Sequence, residues 1–336
     1  MPATTHAGSR AASPARPAPV VNREVILRTE HLTKRYGTHT ALNDLNLTIH
    51  KGEVFGYIGP NGAGKTTTFR ILSGLLDPTE GKASIAGEDV TNNKDRIKQL
   101  VGFLPDNFGV YPTLKVWEYL DFFAAAYKIP KKARPERIDY CLRIANAHEF
   151  RDKLLGALSR GMKQRVGIAK TILHDPAVLI LDEPAATIDP RARIEMRRLM
   201  RDLANLGKAV LVSSHILPEL ADVCDTVGIL RSGNLAAIGP VQEIMRTVRQ
   251  KRLMQINVLK FANVAREVLA TAPGEWSPVE DDAAGAGDEK TLRYESTADE
   301  QQLAQTLLAL LKRGIPVTNF SEVPADLEDV FMSLTK

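Results

Sequence analysis

The sequence has no apolar run close to the ~20 residues that a membrane-spanning helix needs. Its longest candidates, such as VWEYLDFFAAAY, are short and carry acids. If the protein serves a membrane process, another chain must therefore cross the bilayer. A large charge of one sign is also missing, since 44 basic against 40 acidic side chains leave only +4. That excess is too small to argue for nucleic acid. Cysteine is scarce: Cys141 and Cys224 stand far apart without metal-type spacing. They fit a reduced cytoplasmic protein whose two thiols are buried. No internal repeat is present.

What is there is ordinary for a globular chain: 336 residues, 44% apolar and 25% charged. The length allows a sizeable core and more than one domain. Residues 1–23, rich in Ala, Pro, Ser and Arg and free of acids, read as a disordered tail. They have no apolar core for a secretory signal. From residue 24 to about 240, short β-rich runs alternate with amphipathic stretches, the pattern of an α/β domain. EVILRTEHLTKRY and LNLTIH look like strands of an antiparallel region. EVFGYIG is an apolar strand that runs into a glycine-rich turn and the helix KTTTFRILSGLL. Between roughly 107 and 175 helical spacing takes over, in LKVWEYLDFFAAAYKI, RPERIDYCLRIANAHEF and GMKQRVGIAKTIL, as though helices were inserted into the α/β core. Strands resume at AVLILD, AVLVSS and TVGILRSG, with the helix PRARIEMRRLMRDLANL between the first two. Residues 241–336 form a separate small β/α accessory domain. Within it PVEDDAAGAGDEK is expected to be a loop, and the basic RTVRQKR at 246–252 a solvated linker.

The segment GPNGAGKTT fits G-x-x-x-x-G-K-[ST] and sits after a strand and before a helix. Gly59, Pro60, Asn61, Gly62, Ala63 and Gly64 let the backbone wrap phosphate oxygens with its N–H groups inward, and the helix adds the positive end of its dipole. Lys65 can reach the β- and γ-phosphates, the Thr66 hydroxyl can bind Mg2+, and Thr67 can donate to a more inward phosphate. The second chemical feature is LILDEPAATIDP, an apolar strand that ends in two adjacent acids. In a phosphate-binding fold the first, Asp182, meets the Mg2+ shell, and the cation offsets the cost of keeping it charged. Glu183, one residue on, can accept a hydrogen bond from a water facing the γ-phosphate. Free glutamate ionises near pH ~4.3 and is a feeble base, so its work is to place and polarise the nucleophile.

GPNGAGKTT, LSRGMKQR, LILDEP and SSH occur in the order and rough spacing of the ATP-binding cassette ATPases, and the chain resembles that family over about residues 25 to 240. LSRGMKQRVGIAKTILHDPAVLILDEP is similar to cassettes of two-component exporters with a separate permease, and the ending LEDVFMSLT looks like that subfamily's C-terminal extension. The resemblance implies an α/β fold: a P-loop NTPase core (RecA-like) with an antiparallel β subdomain, an inserted helical subdomain at about 107–175, and a small α+β C-terminal appendage. It also implies roles for further residues. Ser159 and Gly161 of LSRGM take the places that touch the γ-phosphate of ATP held by the opposite subunit, although a capped helix start explains Ser159 equally well. Arg160 and Met162 depart from the usual LSGGQ. His215 matches the switch histidine that bonds the γ-phosphate and helps hold Glu183. Tyr36 matches the aromatic that stacks on adenine, or else is a half-buried strand residue. Asp189 matches an acid that crosses the dimer boundary, or else caps the helix opened by Pro190. Asp106 stands where the family usually has a Mg2+-sensing glutamine.

The expected protein is thus an ATP- and Mg2+-dependent ATPase subunit on the inner face of the plasma membrane. It would pair as a homodimer or with another cassette subunit, drive a separate multispanning permease, and need no nucleic acid. The rival is a soluble cassette ATPase acting on ribosomes or DNA, but the chain has one cassette and no extended heptads. A nonhydrolysing cassette is disfavoured because Lys65, Asp182, Glu183 and His215 are all present, and a GTPase because no N-K-x-D motif occurs.

Overall fold

The computed structural model describes residues 23–186, 188–215, 220–244, 252–278 and 290–323. The tail at 1–22, most of RTVRQKR and of PVEDDAAGAGDEK, and the ending LEDVFMSLT lie outside the described residues. In chain order the elements are β1 (Val25–Tyr36), β2 (His39–His50), β3 (Val54–Ile58), α1 (Lys65–Leu72), β4 (Glu80–Ile85), β5 (Glu88–Asp89), α2 (Lys94–Leu100), β6 (Val101–Leu104), α3 (Val116–Ala126), α4 (Arg134–Ile144) and α5 (Arg160–Thr171). They continue with β7 (Val178–Leu181), α6 (Pro190–Asn205), β8 (Ala209–Ser214), β9 (Thr226–Arg231), β10 (Asn234–Pro240), β11 (Arg252–Val258), α7 (Ala262–Ala270), β12 (Trp276–Pro278), β13 (Lys290–Ser296), α8 (Glu300–Lys312) and β14 (Val317–Val323).

Three sheets organise the chain. The central one runs β10-β9-β3-β8-β7-β6, parallel from β9 to β6 with β10 as an antiparallel edge. Every residue of β3, β7 and β8 is buried, which is why these strands read as unbroken apolar runs rather than alternating ones. One face of the sheet packs on α5, α6 and the helical insertion, the other on α1 and the first antiparallel sheet, β2-β1-β4-β5. Chain order reverses at β3, whose neighbours are β8 and β9, so the crevice beyond its C-terminal end is where an open α/β sheet binds ligands.

Two helices, α1 and the inserted α4, are shorter than the sequence pattern suggests. α1 stops at Leu72 because Gly74 takes a left-handed φ of 69° and its N–H returns to Ile71. α4 stops at Ile144 because Asn146 turns to φ 50°, and the chain then forms only a 3-10 turn at His148–Phe150. Both cysteines are buried and unpaired, and burial raises the Cys141 thiol to about 11. Cys224 packs so closely on β3 that a Cβ at Gly56 would come within 2.9 Å of its sulfur.

Beyond β10 the third sheet has the order β12-β13-β11-β14 and is antiparallel throughout. Helix α7 joins β11 to β12 across β13, and α8 joins β13 to β14 across β11, giving two interleaved split βαβ units. Asp299 and Gln302 start α8 by capping each other's backbone N–H, both at 2.9 Å. Its small core gathers Ile256, Val258, Leu269, Leu292 and Leu310, separate from the two cores of the larger part.

Candidate nucleotide site

The loop after β3 closes a cleft of about 360 Å³. Gly62 and Gly64 adopt φ of 82° and 110°, a region that side chains with a Cβ avoid. At Gly64 a Cβ would also lie 2.5 Å from the Ala41 carbonyl, and at Gly59 2.4 Å from that of Leu230. The loop is therefore pressed against β2 and β9, which leaves its concave side open. Lys65, the first residue of α1 and only 6% exposed, extends into this concavity. Its ammonium donates to the carbonyls of Gly59 (2.5 Å) and Pro60 (3.3 Å) and stands 3.4 Å from Glu183 Oε1. α1 has no side-chain cap and no acid in its first turn, so its positive end faces the cleft uncompensated.

Asp182 follows β7 and is 4% exposed. Both oxygens are engaged, Oδ2 by the Thr66 hydroxyl at 2.9 Å and Oδ1 by the Ser213 hydroxyl at 2.6 Å. Glu183 then turns to φ 50°, a conformation that costs a non-glycine residue about 1–2 kcal/mol. Its N–H donates to the same Ser213 oxygen at 2.9 Å. The turn separates the two carboxylates: Asp182 faces Thr66 across the cleft floor, while Glu183 reaches between Lys65 and His215, whose Nδ1 lies 3.0 Å from Oε2. Glu183 Oε1 is buried and has no hydrogen-bond donor among the described residues. Ser213 was not singled out by the sequence. Inside AVLVSS it looks like one more strand residue, and its hold on both acids depends on β7 and β8 lying side by side.

Tyr36, Pro60, Asn61, Gly62, Gly64, Lys65, Thr66, Thr67, Asp106, Asp182 and Glu183 line the cleft, together with His39 and Ala41, for which the sequence offered no signal. Tyr36, the last residue of β1, is 49% exposed, so it is a half-buried strand residue whose ring also forms a wall at the rim of the cleft. Gly59 and Ala63 support the loop from behind, with the Ala63 carbonyl accepting from Gly233 N–H at 2.9 Å. Ser159, Gly161 and Asp189 are not in this cleft. Ser159 caps α5, accepting from Met162 N–H at 3.3 Å, and Asp189 caps α6, accepting from Ala192 N–H at 2.9 Å. The two helix starts touch, since a Cβ on Gly161 would lie 3.3 Å from that of Ala192. Asp106 stands between the two regions and pairs with Arg160 at 3.7 Å.

A glycine loop with a buried lysine at a helix N-terminus, beside a strand-end acid bonded to the helix's own hydroxyl, is a P-loop nucleotide site. Comparison with known proteins gives the family. The ABC transporter family model matches residues 42–186, and that of the C-terminal domain of DrrA1-3-like ATP-binding proteins matches residues 239–335. The chain is 40% identical over 243 residues to the bacitracin transport ATP-binding protein BcrA of Bacillus licheniformis, covering 72% of this chain and 78% of that protein. It is 31% identical to the Nod factor export ATP-binding protein I of Ralstonia nicotianae, over 95% of this chain and 96% of that one. Among solved structures, the ATP-binding subunit of an ABC transporter superposes with a TM-score of 0.59 at 30% identity, covering 66% of this chain and 93% of that one. The dimeric bacterial ABC transporter cassette MJ0796 gives 0.58 at 26%, covering 64% and 99%. The protein belongs to the ATP-binding subunits of ABC transporters, ATPases that bind ATP and work with a membrane permease. Among the described residues no helix is long and apolar enough to cross a membrane.

Proposed function

We propose that this subunit powers an exporter, that two cassettes close around two ATP molecules, and that each nucleotide lies between the Lys65 cleft of one subunit and the Ser159–Gly161 turn of the other. One observation carries the reading. The cleft holds a complete set of groups for the triphosphate, while Ser159, Gly161 and Asp189, the remaining residues expected at the nucleotide, open two neighbouring helices elsewhere on the chain. Relatives named for bacitracin transport and Nod factor export support the transport direction, and a cassette solved as a dimer supports the pairing. The partner is a homologous cassette or a second copy, and both sit on the cytoplasmic face of a separate permease.

Within a cleft, the backbone N–H groups of Gly62 to Lys65 and the Lys65 ammonium hold the β- and γ-phosphates. Thr66 Oγ1 and Asp182 Oδ2, two hard oxygen donors 2.9 Å apart, suit Mg2+, which takes one or two protein oxygens and completes its shell with phosphate and water. When bound, that ion would supply charge neutralisation at the phosphate oxygens. Tyr36 supplies a ring for the adenine. Glu183 offers its undonated Oε1 to the attacking water, and His215 fixes the other oxygen so that the carboxylate cannot swing toward Asp182. Loss of the γ-phosphate removes what the Ser159 turn grips, and the pair opens.

Glu183→Gln is expected to bind ATP as the parent does, to lower turnover by about 100-fold or more, and to accumulate a closed dimer. Unaltered turnover, measured as phosphate release, would remove Glu183 from the role.

A further inference from the structure

Arg160 and Asp106 are two of the positions where this chain leaves the sequence pattern of its family, and the structure pairs them. Asp106 lies just beyond β6 and lines the nucleotide cleft. It also lines an adjoining cavity of about 340 Å³, which Arg160, Lys163 and Gln164 share. The loop that carries Asp106 is clamped to α5, for a Cβ on Gly167 would lie only 2.6 Å from the Phe108 ring. Gln164 is 3% exposed, lines this cavity and has a side-chain oxygen without a donor among the described residues, so the region between loop and helix is polar as well as tight. Arg160 differs from these neighbours. It is the first residue of α5, its side chain is 53% exposed, and it reaches Asp106 through one nitrogen at 3.7 Å, beyond hydrogen-bond length.

We propose that Arg160 is exchanged between two anions: in the open subunit it pairs with Asp106 of its own chain, and in the ATP-closed pair it moves to the γ-phosphate held by the mate's cleft. The inference rests on the pairing proposed above. Arg160 adjoins Ser159 and Gly161, the residues that would face that phosphate, and its long, half-exposed side chain with a single loose contact can reorient by rotamer change alone. The competition is one-sided. A half-exposed single-contact pair shifts an equilibrium by about two- to fivefold at most. A guanidinium on a multiply charged phosphate makes two parallel charge-assisted bonds. Because Asp106 borders the cleft of its own chain while the phosphate belongs to the mate, nucleotide bound in one cleft changes the charge at the rim of the other. Arg160 is thus both a γ-phosphate ligand supplied in trans and a link between the two sites.

The test is ATP-driven dimerisation of the full chain carrying Glu183→Gln, followed by sedimentation in sodium buffer with EDTA so that no metal contact of Asp106 enters. Adding Arg160→Ala is expected to raise the ATP concentration at half-dimerisation by roughly tenfold, the size of one charged hydrogen bond. Arg160→Lys, which keeps the charge but not the fork, should recover part of it. Asp106→Asn should lower the requirement by about two- to fivefold, and only while Arg160 is present. An Asp106→Asn shift that persists with Arg160→Ala, or an Arg160→Ala chain that dimerises like its parent, overturns the exchange while leaving the dimer intact. A parent that stays monomeric at saturating ATP removes the dimer and the exchange together.

Discussion

Lys65 and Asp182 are about one-twentieth exposed and have fixed partners, whereas Ser159, Arg160 and Asp189 begin two helices at the surface. The cleft around the first pair is built like a core. Gly59 and Gly64 press on neighbouring backbone, Ser213 ties the two acids together, and Glu183 is held in a strained turn by contacts on both sides. The helix-start face is built like half an interface. The Ser159 oxygen accepts one long cap bond, which leaves its proton free to donate, and Arg160 has only a loose partner. On the proposed reading ATP is bound by the first face and read by the second, and each of the following changes strains that division.

The largest effect is expected from Lys65→Ala, which removes the buried cation that would meet the triphosphate in the cleft. Nucleotide affinity should fall by about 100-fold or more, roughly 3 kcal/mol, in titrations with a fluorescent ATP analogue. Near-normal affinity would mean that the cleft is not where phosphate is held.

Next comes acid sensitivity on the helical side, where His174 stacks on Tyr127 at 4.0 Å and its Nε2 bonds the Val101 carbonyl at 3.1 Å. Burial lowers its pKa to about 4 from an ordinary 6.5. The neutral ring is thus favoured by folding, and its stabilisation is complete above pH 6.5 and lost progressively as the pH falls toward about 4. The loss should be roughly 2–3 kcal/mol in urea unfolding. A His174→Gln chain, with no ring to protonate, should show a flatter profile over that window; an unchanged slope would assign the acid sensitivity elsewhere.

Ser213→Ala removes one hydroxyl that serves both acids, leaving an oxygen of Asp182 and the N–H of Glu183 without their partner. Turnover should fall by about tenfold or more while Mg2+-free ATP binding stays near that of the parent, and Ser213→Thr should restore much of it. Equal losses in binding and turnover would make Ser213 a general support rather than a positioning residue. The smallest change is Asp189→Ala, expected to cost about 1 kcal/mol of stability through the lost cap. If the acid also meets the second subunit, ATP-driven dimerisation weakens by more than that stability loss explains.

Much of this comparison could be read in the chain before folding. GPNGAGKTT announces a phosphate cradle because glycine, lysine and threonine are needed at those spacings, and LILDEP shows a buried strand ending in acids. Local periodicity also gave the inserted helices. What stayed hidden depends on contacts between distant segments. Ser213 is one of two serines at a strand end until β8 pairs with β7 and points it at Asp182. Arg160 and Asp106 looked like unrelated departures, and the packing of Phe108 on Gly167 helps hold the loop of one beside the helix of the other. β4 and β10 went unnoticed because they are mostly exposed or half-exposed and lack an apolar run, β6 because it follows α2 without a break, and the interleaved order of the C-terminal sheet is set by pairing across the whole domain.

The division between a binding face and a reading face is tested most directly by mixing two inactive chains, Lys65→Ala and Ser159→Glu, the second placing a carboxylate where the γ-phosphate would be read. In a mixed pair one site carries both changes and the other neither, so ATP turnover should reappear on mixing although each chain alone has almost none. A mixture as inert as its components, or a Ser159→Glu chain that hydrolyses ATP at the parent rate by itself, would contradict a site shared between two subunits.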